Sequence, residues 1–558
     1  MKREATHKIS VQIGSTQRDI DAGSDETLLE SLIGPEIFLK SNCGGKGRCG
    51  KCKVKVPASA RDAVTPPDEE ELKLLSAAEI GAGLRLACRT KASGSFALEI
   101  PETSLVSDEV IEKGTTVLFD KLAKFKTTQN HYKVDTFGLA VDLGTTTIGI
   151  YLCNFYSGKV VASVMVKNPQ AIFGDDVISR ITAIDTDEST LSRLQKMAVK
   201  AIEWGVKRLC GFSQVNPSRI KKMVVVGNST MIHIFLGRNP SSIGIFPYQP
   251  AFVEPQQVKA DRIGLNFNSA VEVHTLPLIS GYLGADIISA ALAVDLQRAQ
   301  PGTMLVDVGT NGEVMFKGGN GLLATSCATG PAFEGAVIRN GMQALSGAID
   351  HVNINRATGE VNCSVIQKNH ASNKRPSGIC GSGVLSSVAA LLESGILLND
   401  GAFDRSENRA CLQYDEKNHP EFILIPAEKS GQGHAITITQ ADIRAVQLAK
   451  GALRTGIDLI CSEAGMERPE KILLAGAFGN FINKKDAMTI GMFPELSQRD
   501  IETIGNAAGV GAIMALFDER VLERAGEIIK NTRVVELSEH PDFQEVFISS
   551  LAFPNSYS

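Results

Sequence analysis

The sequence predicts a multidomain protein that combines an α+β unit with α/β units. Its 558 residues are enough for about three or four domains. Four cysteines in and after a glycine-rich stretch define a small amino-terminal unit. Two copies of an Asp-x-Gly-Thr turn, far apart in the chain, each join two apolar segments and indicate two related lobes. The predicted divisions are a first domain at 1–101, a linker at 102–133, a middle domain at 134–300 and a carboxyl-terminal domain at 301–558.

The amino-terminal unit shows a regular succession of strands and helices. HKISVQI alternates apolar and polar residues and predicts a strand. The stretch DETLLESLI predicts a helix with Asp25 as its N-cap. After the cysteine loop, KCKVKV predicts a second alternating strand and DEEELKLLSAA an acidic helix. LRLACRT and SFALEIP then predict the closing strands.

The four cysteines of this unit have the spacing of an iron–sulfur site. Cys43, Cys49 and Cys52 share the stretch CGGKGRCGKC, and Cys88 arrives from a later segment. A [2Fe–2S] cluster needs two thiolates for each iron, which four such cysteines supply. The glycines between them allow tight turns and bring backbone N–H groups close to the cluster sulfurs. Structural zinc is the alternative, but it favours paired C-x-x-C units and only one such pair is present.

The order of these elements around the cysteines resembles the β-grasp ferredoxin domain. Plant-type ferredoxins have four residues in the first gap between cysteines, whereas this chain has five. A five-residue gap is similar to that of the vertebrate-type and bacterial forms of the same fold.

Composition and charge indicate which partners and which cellular compartment to expect. The chain is 43% hydrophobic and its net charge of −5 does not favour nucleic acid or an anionic membrane as a main partner. It has no apolar run of transmembrane length, and MKREATHKIS lacks the apolar core of a secretory signal. Eleven cysteines without a disulfide-like framework favour a reducing cytoplasm.

The two Asp-x-Gly-Thr turns predict a nucleotide site. Backbone N–H groups in such a turn can bind phosphate, and the aspartate can hold Mg²⁺ through water. Asp142 and Asp307 are therefore the candidate catalytic residues. Three further small-residue loops, SCATGPAFEGA, GICGSGV and AGAFG, are candidates for the same site. The candidate nucleotide-binding residues are Gly144, Thr145, Thr146, Gly309, Thr310, Asn311, Gly330, Gly381, Ser382, Gly476 and Gly479.

The duplicated turns and the late AGAFG loop resemble the acetate-and-sugar-kinase, heat-shock chaperone and actin superfamily (ASKHA). The resemblance runs from about residue 134 to the end. It implies two RNase H-like α/β lobes of the actin-like ATPase fold that bind ATP and Mg²⁺ between them. The turns would hold the phosphates, and Gly476 with Gly479 would hold the adenosine.

A [2Fe–2S] ferredoxin domain followed by an ASKHA ATPase resembles the RACo family of reductive activators of corrinoid proteins. Further stretches carry the resemblance: NPQAIFGDDVISRI, VVVGNSTMIHIFLG, LPLISGYLGADI, TQADIRAVQLAKGA and GNAAGVGA. The resemblance implies ATP-dependent transfer of one electron from the cluster to an inactive Co(II) corrinoid protein of a methyltransferase system, which restores Co(I). It also implies a low-potential electron donor, and it leaves a homodimer open.

Three other functions stay open at this point. The first is a small-molecule kinase, or an ATP-gated redox sensor, fused to a ferredoxin. The second is a chaperone-like binding module, and the third is an activator of radical dehydratases. The first candidates for activating water in ATP hydrolysis are Asp142 and Asp307. Glu313 and Glu334 are less favoured candidates for the same role.

The cluster loop is strongly basic. Between Lys40 and Lys55 the chain has six basic residues and no acid. This segment could dock an acidic partner. An ordinary solvated face is the alternative.

Overall fold

A computed structural model of the chain describes most of its residues. The described residues are 6–41, 45, 47, 50–105, 135–174, 176–335, 337–356, 358–367, 374–405, 411–414, 418–479 and 481–554. Cys43 and Cys49 lie outside them, as does most of the linker predicted at 102–133. The domain boundaries therefore stay predictions.

The secondary structure alternates short sheets with helices along the described chain. The strands are β1 Thr6–Ile13, β2 Thr16–Gly23, β3 Lys53–Lys55, β4 Leu84–Leu86, β5 Phe96–Glu99, β6 Phe137–Leu143, β7 Thr147–Asn154, β8 Lys159–Lys167, β9 Ile220–Val226, β10 Gln257–Lys259, β11 Glu272–Thr275, β12 Thr303–Val308, β13 Gly312–Gly318, β14 Gly321–Cys327, β15 Ala348–Ile354, β16 Val361–Val365, β17 Gly378–Ile379, β18 Leu412–Tyr414, β19 Pro420–Ile425, β20 Ile436–Thr439, β21 Lys471–Ala475, β22 Ile501–Gly505 and β23 Thr532–Val534. The helices are α1 Leu28–Ile33, α2 Glu69–Leu74, α3 Ala77–Gly81, α4 Val177–Thr186, α5 Ser189–Ser213, α6 Ser229–Phe235, α7 Ala285–Ala293, α8 Gly381–Glu393, α9 Gln440–Glu463, α10 Gly476–Gly479, α11 Lys484–Thr489, α12 Ala507–Phe517, α13 Arg520–Lys530 and α14 Phe543–Leu551.

The amino-terminal sheet has the strand order β2-β1-β5-β3-β4, with β1 and β5 parallel. The prediction of Asp25 as the N-cap of the first helix is wrong. Thr27 caps α1, because its side chain accepts from the backbone N–H of Glu30 while the Glu30 carboxylate accepts from that of Thr27. A buried ion pair, Glu71 with Arg85 at 2.8 Å, ties α2 to β4.

Each Asp-x-Gly-Thr turn lies in a three-stranded antiparallel meander, β6-β7-β8 or β12-β13-β14, and each meander makes up half of a six-stranded sheet. Their strand orders are β10-β11-β9-β6-β7-β8 and β22-β21-β12-β13-β14-β23. In each sheet the first meander strand has a parallel neighbour, β9 beside β6 and β21 beside β12. In each sheet the carboxyl ends of the two parallel strands therefore lie at the same edge. The Asp-x-Gly-Thr turn of that sheet lies at this edge too.

Helices α7 and α12 join the two lobes. The Ser289 hydroxyl donates to the carbonyl of Ala508 at 2.6 Å. A Cβ at Gly511 would lie 2.0 Å from the Ser289 carbonyl oxygen, so only glycine allows this close approach. None of the helices in the described part of the chain is long and apolar enough to cross a membrane.

The amino-terminal domain packs against the middle domain. Glu30 forms an ion pair with Arg193 of α5, and Glu36 forms one with Lys207 of the same helix. The ring of Phe38 lies edge-on to the chain's single tryptophan, Trp204, at 5.8 Å between centroids. Helix α5 therefore provides the main surface of the middle domain that contacts the amino-terminal domain.

Candidate functional site

Two of the four predicted cluster cysteines, Cys52 and Cys88, are described and lie on adjacent segments of the chain. Cys52 and Cys88 are both buried, and the N–H of Ala87 donates to the Cys52 carbonyl at 2.9 Å. Gly47 and Gly50 in the loop have φ angles of 69° and 61°, which favour glycine. Two buried thiols on adjacent segments beside such a loop fit a thiolate-bound iron–sulfur cluster. The other two predicted ligands, Cys43 and Cys49, lie outside the described residues.

The first of the two predicted phosphate turns, residues 144–146, is held by two asparagines, of which Asn168 is buried and Asn228 is half-buried. A Cβ at Gly144 would lie 2.5 Å from the Thr147 carbonyl oxygen, so this turn requires glycine. The Asn168 side chain donates to the Gly144 carbonyl at 2.9 Å. The Asn228 side chain, at the start of α6, donates to the Thr145 hydroxyl at 2.9 Å. The turn is therefore fixed before any ligand arrives.

A fully buried arginine braces the same turn from behind. Arg180 donates to the Thr145 carbonyl at 2.6 Å, to the Gln170 side chain at 2.9 Å and to the Gly174 carbonyl at 3.2 Å. The Gln170 amide in turn donates to the Leu194 carbonyl. Because buried charged donors are costly when unpaired, this network holds the turn in one conformation.

The second predicted phosphate turn, residues 309–311, meets the first across the boundary between the lobes. The Thr146 and Thr310 hydroxyls lie 3.1 Å apart. The N–H of Gly309 donates to the Asn311 carbonyl at 2.9 Å, which closes the second turn. The Thr329 hydroxyl supports it by donating to the Thr310 carbonyl at 3.2 Å. The two turns face each other, as the duplicated motif predicts.

Glu334 bridges the two turns. Its carboxylate accepts from the Thr146 hydroxyl at 2.8 Å and from the Thr310 hydroxyl at 3.0 Å. One side chain thus contacts both lobes at the point where the turns meet.

Four other acids line the floor of the site. Burial, followed by the negative charges of Asp286 and Asp142, raises the pKa of Asp307 to about 7. Burial and the charge of Asp142 raise the pKa of Asp286 to about 7 as well. Burial and the charges of Asp286 and Asp307 raise the pKa of Glu313 well above its usual range. The Asn506 side chain donates to Asp142 at 2.7 Å.

This group of acids suits a hydrated divalent cation. Its negative charges repel one another, and a cation would relieve that repulsion. Among the described residues, no three acidic, histidine or cysteine side chains are arranged to coordinate one ion directly. Mg²⁺ fits such a site because it keeps several of its own waters.

The remaining predicted nucleotide-binding residues lie around the second lobe. Gly476 has φ of 89°, and a Cβ there would lie 2.6 Å from an Asp307 carboxylate oxygen. Gly479 lies against Leu474 in the same strand–helix turn. Gly381 and the buried Ser382 begin α8, which packs against the short turn at 331–334 that follows Gly330. The roles of these residues in nucleotide binding stay predictions.

A continuous set of contacts runs from the first phosphate turn to the cluster loop. The backbone N–H of Asn168 donates to the Thr146 carbonyl at 2.9 Å, so the segment after β8 starts at the turn. Four residues later, Ile172 packs against the core of the amino-terminal domain. A Cβ at Gly45, in the cluster loop, would lie 3.1 Å from Ile172 Cγ2. Lys167 donates to the Ser41 carbonyl at 2.5 Å beside this contact.

Sequence reasoning did not assign roles to several residues of the site. Each of these residues lies in one of the stretches that carry the RACo resemblance. That resemblance is the signal in the sequence by which they could have been found. None has a metal-ligand or catalytic spacing of its own. These residues are Asn168, Arg180, Asn228, Asp286 and Asn506.

Comparison with known families matches nearly the whole chain. Residues 11–93 match the 2Fe-2S iron-sulfur cluster binding domain. Residues 137–299 match the RACo middle region, and residues 302–558 match the C-terminal domain of RACo, the ASKHA domain. The predicted combination of a ferredoxin-type domain with an ASKHA domain is confirmed, and the amino-terminal domain is an iron–sulfur domain.

Individual proteins resemble the chain over 70% to 98% of its length. The corrinoid activation enzyme RamQ of Eubacterium limosum is 28% identical, over 96% of this chain and 98% of its own. The [Co(II) methylated amine-specific corrinoid protein] reductase of Methanosarcina barkeri is 24% identical over 70% of each chain. A solved reductive activator for corrinoid,iron-sulfur protein superposes with a TM-score of 0.68 at 29% identity, over 98% of both chains. With two RACo regions following a 2Fe–2S domain in order, and with end-to-end similarity to a solved activator, the chain belongs to the RACo family.

Proposed function

We propose that this protein is an ATP-dependent reductive activator of a corrinoid protein. In this reaction one electron passes from the reduced protein to Co(II) of the partner, which becomes Co(I) and is again competent for methyl transfer. The [2Fe–2S] cluster, when bound, would hold the single electron that is transferred. The names of the relatives, which include a corrinoid activation enzyme and a Co(II) corrinoid protein reductase, support this assignment.

The observation that carries the proposal is the path of contacts between the first phosphate turn and the cluster loop. Asn168 hydrogen-bonds to the turn, and Ile172 packs against the amino-terminal domain only four residues later. A kinase with an unrelated redox sensor would not need this connection. In an activator the connection has a purpose, because a ligand in the turn can bias the surroundings of the cluster.

ATP is needed because the product of the transfer, Co(I), is a stronger reductant than the reduced cluster, so the electron moves energetically uphill. For a one-electron step, about 59 mV corresponds to a tenfold change in the equilibrium constant, so a gap of roughly 180 mV opposes transfer about 1000-fold. We propose that ATP binds between the two phosphate turns. Its Mg²⁺ would be held through water by the floor acids Asp142, Asp286, Asp307 and Glu313. Glycines at 476 and 479 would accommodate the adenosine.

The other partners follow from the same proposal. A low-potential electron donor has to reduce the cluster between turnovers. We place the protein in the cytoplasm on its cysteine usage. Neither nucleic acid nor a membrane is needed for the reaction, and a homodimer would be compatible with it.

The test is spectroscopic and anaerobic. The reduced protein is mixed with a Co(II) corrinoid protein, and the visible spectrum is followed with and without ATP. Co(I) should form only with ATP. Cys49→Ser should abolish electron transfer and leave ATP binding intact, whereas Cys411→Ser, the same change outside the cluster motif, should have no effect.

A second pair of measurements separates the rival functions. Asp307→Ala should abolish ATP binding and leave the cluster's absorption unchanged. Stoichiometric transfer of the γ-phosphoryl group to a small molecule, with no Co(I) formed, would favour the kinase. Failure to form Co(I) with several corrinoid partners would refute the proposed function.

A further inference from the structure

We infer that Glu334 is the catalytic residue that holds the attacking water and takes its proton during ATP hydrolysis. The inference rests on the proposed function, because it requires ATP to bind between the two phosphate turns. It assigns Asp142 and Asp307 a different task, that of holding the cation.

The position of Glu334 is the first support for this role. Its two carboxylate oxygens accept separately from Thr146 of one lobe and Thr310 of the other, at 2.8 and 3.0 Å. A terminal phosphate bound by such turns would accept from their backbone N–H groups and from these hydroxyls. The carboxylate therefore lies beside the place where the γ-phosphate would be gripped.

The backbone around Glu334 cannot easily withdraw. Residues Pro331–Glu334 form a short 3-10 turn between Gly330 and Gly335, whose φ angles are 66° and 76°. The neighbouring Phe333 is fully buried. A Cβ at Gly335 would lie 3.1 Å from the Met342 carbonyl oxygen, so the chain is closely packed there. When ATP binds and the Thr146 and Thr310 hydroxyls donate to its phosphate, the Glu334 carboxylate therefore stays near that phosphate.

The chemistry follows because the Glu334 carboxylate and the γ-phosphate would both accept from the hydroxyls of Thr146 and Thr310. A carboxylate and a phosphate oxygen repel each other in direct contact, but a water molecule between them can donate to both. Such a water is held against the γ-phosphorus. Its oxygen bonds to phosphorus while the bond to the β–γ bridging oxygen breaks, and ADP leaves with that electron pair. The water's proton passes to the Glu334 carboxylate and then to solvent.

The floor acids are less suited to this step. Asp142 accepts a hydrogen bond from Asn506, and Asp307 lies against Gly476. Asp286, Asp307 and Glu313 have pKa values raised by burial and mutual repulsion, as expected of acids grouped to hold a cation. Glu334 instead contacts the hydroxyls of both turns.

Single-turnover hydrolysis of ATP and ATP affinity should be measured together on the full-length protein. Glu334→Gln keeps the shape of the side chain and removes its basicity. We expect hydrolysis to fall about 10²- to 10⁴-fold, with the ATP dissociation constant within about fivefold of wild type, since base removal alone should change binding little. Glu360→Gln makes the same change on an exposed turn and should alter neither quantity. Formate should partly restore hydrolysis to Glu334→Ala by replacing the missing carboxylate.

Hydrolysis by Glu334→Gln within about threefold of wild type would overturn the inference, because loss of a base costs far more. Loss of ATP affinity by the same factor as hydrolysis, or no effect of formate, would overturn it too. Failure of the proposed function would look different. In that case wild type would hydrolyse ATP without forming Co(I), and Glu334→Gln would still lose hydrolysis.

Discussion

Replacing Asp286 by asparagine should stabilise the middle domain in the absence of Mg²⁺. The pKa of Asp286 is raised from 3.8 to about 7, first by burial and then by the charge of Asp142. A carboxyl with a raised pKa binds its proton more tightly in the folded protein than in the unfolded chain. Its favourable contribution is complete below about pH 4 and is lost as the pH rises to about 7. Asp286→Asn cannot ionise, so it avoids this loss.

The size of the effect follows from the pKa change. A tenfold change in proton affinity corresponds to about 1.4 kcal/mol, so the shift sets an upper bound of about 4 kcal/mol above pH 7. The Asp286 side chain is half-buried and water reaches it. We therefore expect about 1–3 kcal/mol at pH 8 and less at pH 5. For a domain of this size that is a rise of about 2–10 °C in Tm.

Thermal unfolding followed by tryptophan fluorescence suits this test. Trp204 is the single tryptophan of the chain and lies in α5 of the same domain. Asp261→Asn, the same change at an exposed position, is the matched control. Millimolar Mg²⁺ should raise the Tm of wild type more than that of Asp286→Asn, because it compensates the repulsion. A variant less stable than wild type at pH 8, or equally stabilised at pH 5 and pH 8, would refute the reasoning.

Two further predictions concern contacts of the amino-terminal domain. Ile172→Ala removes the side chain that lies against the cluster loop, so ATP should no longer change the EPR spectrum of the cluster. Ile178→Ala, on an exposed face, should preserve that change, and an equal response in both variants would contradict the proposed path. Glu71→Gln leaves the buried Arg85 without its carboxylate partner and should destabilise this domain by about 3–5 kcal/mol. The cluster's visible absorption should then bleach at lower temperature, and an unshifted bleaching midpoint would count against a stabilising ion pair.

The basic cluster segment shows how composition can mislead about local charge. It contains no acid between Lys40 and Lys55, yet two of its lysines are paired. Lys53 contacts Glu79 at 2.6 Å, and Lys55 contacts Glu99 at 3.0 Å across neighbouring strands. These partners come from later segments, because Glu79 lies in α3 and Glu99 lies in β5 beside β3. The segment is therefore less positive than its composition indicates.

The sequence was sufficient where a feature depends on residues close together in the chain. The Asp-x-Gly-Thr turns between apolar segments could be predicted, because Gly144 permits a turn that a side chain would block. The N-cap of α1 lies two residues later than the sequence predicts. Asp25 and Thr27 are both good N-caps, and only Thr27 is spaced three residues from the reciprocal Glu30.

The sequence by itself determined the chemistry of each turn and loop, including the thiolate-rich segment and the duplicated phosphate turns. Only the tertiary structure decided which distant groups meet. Parallel pairing of β6 with β9 brings Asn228 to the first turn, and packing of the lobes brings Glu334 to Thr146. Short-range sterics fix a turn locally. The convergence of Asp142, Asp286 and Asp307, and their raised proton affinity, depends on sheet register and burial across long stretches of chain, which local sequence does not encode.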